Sequence, residues 1–237
     1  MSEPCPSSIQ NWIFDLDNTL YPAECNLFAQ IDERMGSFIA DLLDVDRVEA
    51  RKVQKDYYYR YGTTLNGLMR EHKLDPHIYL DYVHDIDHSV LPHMPELHTA
   101  LTSLPGRKFI FTNGSAKHGE DVATALGIID AFDAIFDIAA AEFTPKPNKP
   151  AYEEFLKQHN VQPQSSVMFE DLHPNLKVPH ELGMATVLVH SNYEDHPAQK
   201  ERLNWDDLPD YIHHETFDLT QFLSQENLKT AELLKFL

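Results

Sequence analysis

Cationic residues are scarce in this chain. Its 19 Lys and Arg stand against 38 Asp and Glu, a formal net charge of −19. Phosphate backbones are gripped by clustered Lys and Arg, so nucleic acid is not an expected partner. Cysteine is scarcer still, with only Cys5 and Cys25 in 237 residues. Two thiols do not make a disulfide framework, and a reducing cytoplasm is the expected compartment. There is no long apolar run, no basic-then-apolar leader and no Arg-rich, acid-poor start. Membrane spans, signal peptides and transit peptides are therefore not expected. Internal repeats and low-complexity tracts are absent too. The 14 histidines are scattered, with His213-His214 the one adjacent pair and no HxxxH on a convincing helix. Most of them read as surface residues, with one or two near a site.

What remains is an ordinary globular mix, 42% hydrophobic and 24% charged, long enough for a sizeable core. The acidity works against a small anionic substrate, but salt screens the global field over roughly 8 Å. A local cluster of metal, lysine and backbone amides can reverse its sign inside a pocket.

The run Trp12 to Pro22, WIFDLDNTLYP, reads as a buried strand from Trp12 to Leu16 that carries Asp15 and Asp17 at its end. Residues two apart on a strand point the same way, so these two acids are expected to converge. A divalent metal between them would relieve their repulsion. The plainer reading is an acidic turn capping the next helix.

From Pro22 to about Leu91 the pattern is helical, with Phe28, Ile31, Met35, Phe38, Ile39 and Leu42 at helical spacing. Shorter helices are expected over Leu65 to His72 and Ile78 to Val83. After Pro92 the grammar becomes strand–helix. Strands are predicted at Lys108–Thr112, Ala134–Ile138, Ser166–Glu170, Ala185–Val189 and, as a last short one, Tyr211–His213. Helices are predicted at Leu97–Leu104, from Asn113-Gly114-Ser115 to Leu126, Pro150–His159, Asn175–Leu182, near Leu219–Leu223 and Asn227–Leu237. Alternation of this kind indicates an α/β fold, a Rossmann-like parallel sheet covered on both faces, with an inserted all-helical domain. The expected core is residues 1–22 and 92–237, and the helical domain 23–91.

Ligands of open parallel sheets sit beyond the strands' C-terminal ends. There the chain offers Asp15 and Asp17, then Thr112, Asn113, Gly114 and Ser115, then Lys146 in TPKPNKPAYE, then Glu170 and Asp171. A hydroxyl beside a helix N-terminus suits a phosphate. Taken singly, each element has a plainer reading: a strand-to-helix turn, a solvated loop lysine with Lys149 as its rival, a helix N-cap. All four falling on strand ends in this order points to a metal site that handles phosphate.

At these residues the chain resembles the haloacid dehalogenase (HAD) superfamily. Asp15-Leu16-Asp17-Asn18-Thr19 matches its DxDx[TV] motif, Thr112 its strand-ending Thr or Ser, Lys146 to Tyr152 its KPxxxAY run and Glu170-Asp171 its acidic pair. The runs FDLDNTLYP, YGTTLNGLM, FIFTNGSAKH and LGIIDAFDAIFDI resemble the pyrimidine 5′-nucleotidases of that superfamily. The resemblance implies an Mg²⁺-dependent phosphatase for a small phosphorylated metabolite, a nucleoside monophosphate. It makes Asp15 the nucleophile and Asp17 the general acid and base. Mg²⁺ would be held by Asp15, the Asp17 backbone carbonyl and Asp171, with Glu170 acting through a water. Lys146 would pair with Asp15 and the phosphate, while Thr112 and Asn113 bind phosphoryl oxygens. The inserted all-helical domain resembles the helical cap domain of the superfamily's phosphatases, and its Tyr59, Tyr61, Thr63, Thr64 and Asn66 are cap candidates for the base and sugar, with core packing the alternative for the tyrosines. His118 is either a substrate contact or a surface residue. Competing readings are a phosphatase for phosphoglycolate or a sugar phosphate, a sugar phosphomutase, and a silent binding module of the same fold. Dehalogenases of the family lack the second Asp and the metal acids.

Overall fold

A computed structural model of the chain describes residues 9–191, 200, 205 and 207–224. It divides into two compact units, one formed by the chain up to Cys25 and from Leu91 onward, the other by Asn26–Val90. The expected helix at Asn227–Leu237 and the thiol of Cys5 lie outside the described residues, as does the segment that precedes Ile9.

The larger unit is built on six parallel strands: β1 (Asn11–Phe14), β2 (Arg107–Phe111), β3 (Ala134–Phe136), β4 (Ser166–Glu170), β5 (Ala185–Val189) and β6 (His214–Thr216). Their spatial order is β3-β2-β1-β4-β5-β6. Every side chain of β1, β4 and β5 is buried, as expected where helices cover both faces of a parallel sheet. Odd and even positions serve different layers. Trp12 and Phe14 both stack on Phe169. Ile13, Phe109, Phe111 and Met168 join the other layer with Ala151, Tyr152 and Phe155 of the helix Lys149–His159. Phe155 packs on Phe109, Phe111 and Phe136 with ring centroids 5.2–5.5 Å apart.

Among the described residues, the α-helices of this unit are Pro95–Ser103, Ala116–Leu126, Lys149–His159, Lys177–Glu181 and Leu219–Ser224. Several boundaries differ from the sequence expectation, each for a local reason. β1 stops at Phe14 because the amides of Thr19 and Leu20 both donate to the Leu16 carbonyl, turning the chain there. Leu16 is fully buried, but in that turn. The expected helix over Asn175–Leu182 begins as a 3-10 turn, His173–Leu176, before the α-helix. Tyr211–His213 is not the last strand: the Ile212 amide bonds the Pro209 carbonyl in a turn, and pairing with β5 begins at His214.

The second unit holds α1 (Leu27–Leu43), α2 (Arg47–Tyr61), α3 (Thr64–His72) and α4 (Pro76–Val83). Side-chain caps start three of them, from Asp46, Thr63 and Asp75. Gly67 lets α3 approach α2 closely, since a Cβ there would lie 2.3 Å from the Tyr57 ring. Among the described residues, no helix is long and apolar enough to cross a membrane.

Candidate active site

Strand order reverses between β1 and β4, because β1 leads to β2 on one side and β3 leads across to β4 on the other. The crevice beyond these two strand ends is where such sheets bind ligands. Asp15 follows β1, Glu170 ends β4 and Asp171 follows it. Their carboxylate oxygens lie within 4.8 Å of one another, and all three residues are buried.

The Lys146 ammonium holds this group together. Its Nζ donates to Asp15 Oδ1 at 2.7 Å, Glu170 Oε1 at 2.8 Å and the Phe111 carbonyl at 2.8 Å. Three bonds use all three donors of an ammonium. Burial works against its charge, but the Asp15 and Glu170 carboxylates outweigh it and hold the lysine above its ordinary value. Asn113 fixes the backbone beneath it, since its Oδ1 accepts from the Lys146 amide at 2.8 Å and its Nδ2 donates to the Lys146 carbonyl at 3.2 Å. The rival Lys149 is exposed and lies 3.7 Å from Glu153.

Glu170 is bonded on both oxygens. Oε1 also accepts from Asn175 Nδ2 at 2.6 Å, and Oε2 from the Leu172 amide at 2.9 Å. Asn175 was not singled out by its sequence context; it sits five residues past Glu170 on the 3-10 turn. Thr112 is buried, and its Oγ1 accepts from the Gly114 amide at 2.9 Å. Ser115 caps the helix Ala116–Leu126.

Asp17 faces different partners from Asp15. Strand alternation does not govern the pair, because the turn begins at Leu16. The Asp15 carboxylate takes Lys146 and, at 3.0 Å, the Thr19 hydroxyl. The Asp17 Oδ1 accepts from the Tyr21 hydroxyl at 2.6 Å and the His118 ring at 2.9 Å. His118 is completely buried, so it is not a surface residue. A signal for this was in the sequence: His118 shares a helix face with Val122 and Leu126, which are buried with it.

Within the helical unit, the Thr63 hydroxyl caps α3 by accepting from the Asn66 amide at 3.1 Å. Thr64 is buried, with its hydroxyl 3.4 Å from the Gln54 carbonyl. Asn66 donates to the Tyr61 carbonyl, Tyr61 bonds Glu71, and Tyr59 is exposed.

Three buried carboxylates against one ammonium leave excess negative charge. Burial, then Glu170, pushes the Asp15 carboxyl up to about 7. Burial, then Glu170 and Asp15, also raises Asp171 well above the ordinary range. Hard oxygen donors in such excess fit a divalent cation. The sign of the pH effect follows. Between 3.8 and about 7 the folded state holds a proton on Asp15 that the unfolded chain has lost. In EDTA, thermal stability should fall as pH rises through this window. Added Mg²⁺ should then raise Tm by an increment that grows with pH, read by thermal melts across pH 5–8 (on the order of the Asp15 titration range).

The chain belongs to the haloacid dehalogenase-like hydrolases, whose family model matches residues 9–183. Phosphate metabolism protein 8 of Saccharomyces cerevisiae is 27% identical over 195 residues, 75% of this chain and 60% of that relative. The chain thus spans about 60% of the length of this curated relative. The L-2-haloacid dehalogenase PA0810 shares the fold with a TM-score of 0.59 at 19% identity, covering 91% of this chain and 98% of its own. The HAD-hydrolase YfnB of Bacillus subtilis, whose crystal structure is bound to magnesium, gives 0.56 at 14% identity over 91% and 97%.

Proposed function

We propose that this hydrolase is an Mg²⁺-dependent phosphomonoesterase working through an aspartyl-phosphate, with pyrimidine nucleoside 5′-monophosphates of the UMP and CMP type as substrates. The observation that carries the phosphatase reading is the Lys146 ammonium bridging Asp15 and Glu170 beside a third buried acid, Asp171. Such a group can receive a dianion only when further positive charge accompanies it.

An Asp15 carboxylate oxygen attacks phosphorus, and the bond from phosphorus to the leaving oxygen breaks. Asp17 gives its proton to that oxygen, then takes one from the water that hydrolyses the aspartyl-phosphate. Lys146 holds Asp15 for in-line attack, and Asn113 holds the loop that carries Lys146. Thr112 and the amides ahead of the helix Ala116–Leu126 receive phosphoryl oxygens. Mg²⁺, held by Asp15, Asp171 and the Asp17 carbonyl, with Glu170 behind a water, would supply the charge neutralisation.

The likeness of YGTTLNGLM and FIFTNGSAKH to pyrimidine 5′-nucleotidases supports the substrate class, and the name of the yeast relative links that protein to phosphate metabolism. The helical unit is the proposed cap, with Thr63 and Thr64 its proposed substrate residues. The low cysteine count supports work in the cytoplasm, while the net charge of −19 and the lack of a long apolar run speak against nucleic acid and membrane as partners.

Purified protein is expected to release p-nitrophenol from p-nitrophenyl phosphate, to stop in EDTA and to resume with Mg²⁺. Absence of metal-dependent release would favour the silent binding module. In a panel ranked by kcat/KM, UMP and CMP should exceed AMP, phosphoglycolate and sugar phosphates by about tenfold or more, the scale of one or two lost polar contacts. An even ranking would remove the pyrimidine assignment and leave the phosphatase intact.

A further inference from the structure

We infer that His118 and Tyr21 are positioning residues that fix the orientation of the Asp17 carboxylate for proton transfer. The inference deepens the proposed phosphatase and rests on Asp17 being its general acid. Both donors meet one oxygen: the Tyr21 hydroxyl reaches Oδ1 at 2.6 Å and the His118 Nε2 at 2.9 Å. A carboxylate oxygen has two lone pairs in its plane, and these two donors together can engage both of them on Oδ1. The donors come from different elements, Tyr21 from the turn after β1 and His118 from the first turn of the helix Ala116–Leu126. Between them they stop rotation about the bond that carries the carboxylate. A general acid whose carboxyl swings freely presents its proton to the leaving oxygen only part of the time.

The donors are themselves held. Both side chains are essentially excluded from water. Burial, and then the Asp17 charge, push the Tyr21 phenol well above its ordinary value, so it remains a donor across the neutral range. The helix that carries His118 is pinned at its start: Asp137 accepts from the Ala116 amide at 2.8 Å, and Ser115 from the His118 amide at 3.3 Å. Gly119 packs close to Ile135 of β3, where a Cβ would meet a methyl at 3.1 Å.

Buried polar groups also satisfy one another for stability alone, so the test needs a readout that packing does not move. Leaving-group basicity provides it. A p-nitrophenolate leaves without much proton assistance, whereas an alkoxide such as a nucleoside 5′-oxygen needs the acid. kcat/KM reports every step through the first phosphoryl transfer. It is measured at one pH and saturating Mg²⁺ for p-nitrophenyl phosphate, phenyl phosphate and UMP.

His118→Ala and Tyr21→Phe are each expected to lose about 10- to 100-fold on UMP, within the usual worth of general acid help, and at least about tenfold less on p-nitrophenyl phosphate. His118→Gln keeps an N–H in reach and should recover most of the loss. Asp17→Asn should show the same selectivity, more strongly. Tyr21→Phe removes one oxygen and keeps the ring, so it serves if His118→Ala fails to fold. Uniform losses across the three substrates in folded Tyr21→Phe, or no loss at all, would overturn the inference while selectivity in Asp17→Asn left the acid role standing. Absence of selectivity in Asp17→Asn would overturn the acid role and this inference with it.

Discussion

Asp15→Asn should abolish turnover, by about 10⁴-fold or more, while leaving the protein folded and no less stable. The amide is nearly isosteric and its oxygen can still accept from Lys146, which keeps its bonds to Glu170 and the Phe111 carbonyl. On the other side, the Thr19 hydroxyl now donates to Asp15 Oδ2 and can turn to accept from an amide. What disappears is the proposed nucleophile and one charge. In the native site that charge is opposed by burial and by Glu170, which is why the carboxyl is raised to about 7. Neutralising it relieves repulsion wherever the wild-type group would be ionised. In EDTA at a pH above that value, Asp15→Asn should therefore melt at or above the wild-type temperature. Mg²⁺ should stabilise the variant less than the wild type, because one carboxylate ligand has gone. Phosphate release and paired thermal melts check both halves. A rate near wild type would rule Asp15 out as the nucleophile, and a large drop in Tm would mean the carboxylate is structural.

The sheet was legible because each strand carries a short run of β-branched and aromatic residues closed by a turn or helix start. Ser166–Glu170 and Ala185–Val189 fall on the expected residues, since neither has apolar residues spilling past the last ladder bond. β1 was read two residues too long for that very reason: Leu16 is apolar because the turn is buried, and apolarity alone does not separate a strand end from a buried turn. The strand-end rule then brought out Asp15, Thr112, Lys146, Glu170 and Asp171 together, since it depends only on topology and not on contacts. What it could not supply was the pairing within the site. Asn113 holds the Lys146 backbone in the structure, a contact across 33 residues that no local pattern announces. His118 bonds Asp17 across 101 residues. Its burial was readable from the helix face it shares with Val122 and Leu126; its partner was not. Thr63 likewise shows how a polar residue in a suggestive motif can first serve the backbone, as the cap of α3.

Lys146→Met should cost more in stability than any other single change at this site, and should also stop turnover. Methionine has a similar length and packs well, so no cavity is left to explain the loss. The loss comes from charge. Asp15 and Glu170 each lose a bonded ammonium in a buried setting, and Asp171 lies close enough to add repulsion. Removing one partner of a buried ion pair costs about 3–5 kcal/mol. For a domain of this size that is a fall in Tm of roughly 6–20 °C, at about 2–4 °C per kcal/mol. The acids can escape part of the cost by taking up protons, so the deficit in EDTA should shrink as pH falls toward 5 (on the order of the ordinary carboxylate range) and widen above neutrality. Lys146→Arg should not rescue, because a planar guanidinium cannot direct donors at two carboxylates and the Phe111 carbonyl from the space an ammonium fills. Lys149→Met is the control. Its ammonium is exposed and 3.7 Å from Glu153, a surface pair worth about 0–1 kcal/mol. Both its melting temperature and its rate should stay near wild type. If the two methionine variants behaved alike, with neither rate nor Tm disturbed, Lys146 would not be the charge that makes the acid cluster workable, and the phosphatase assignment would lose the observation it stands on.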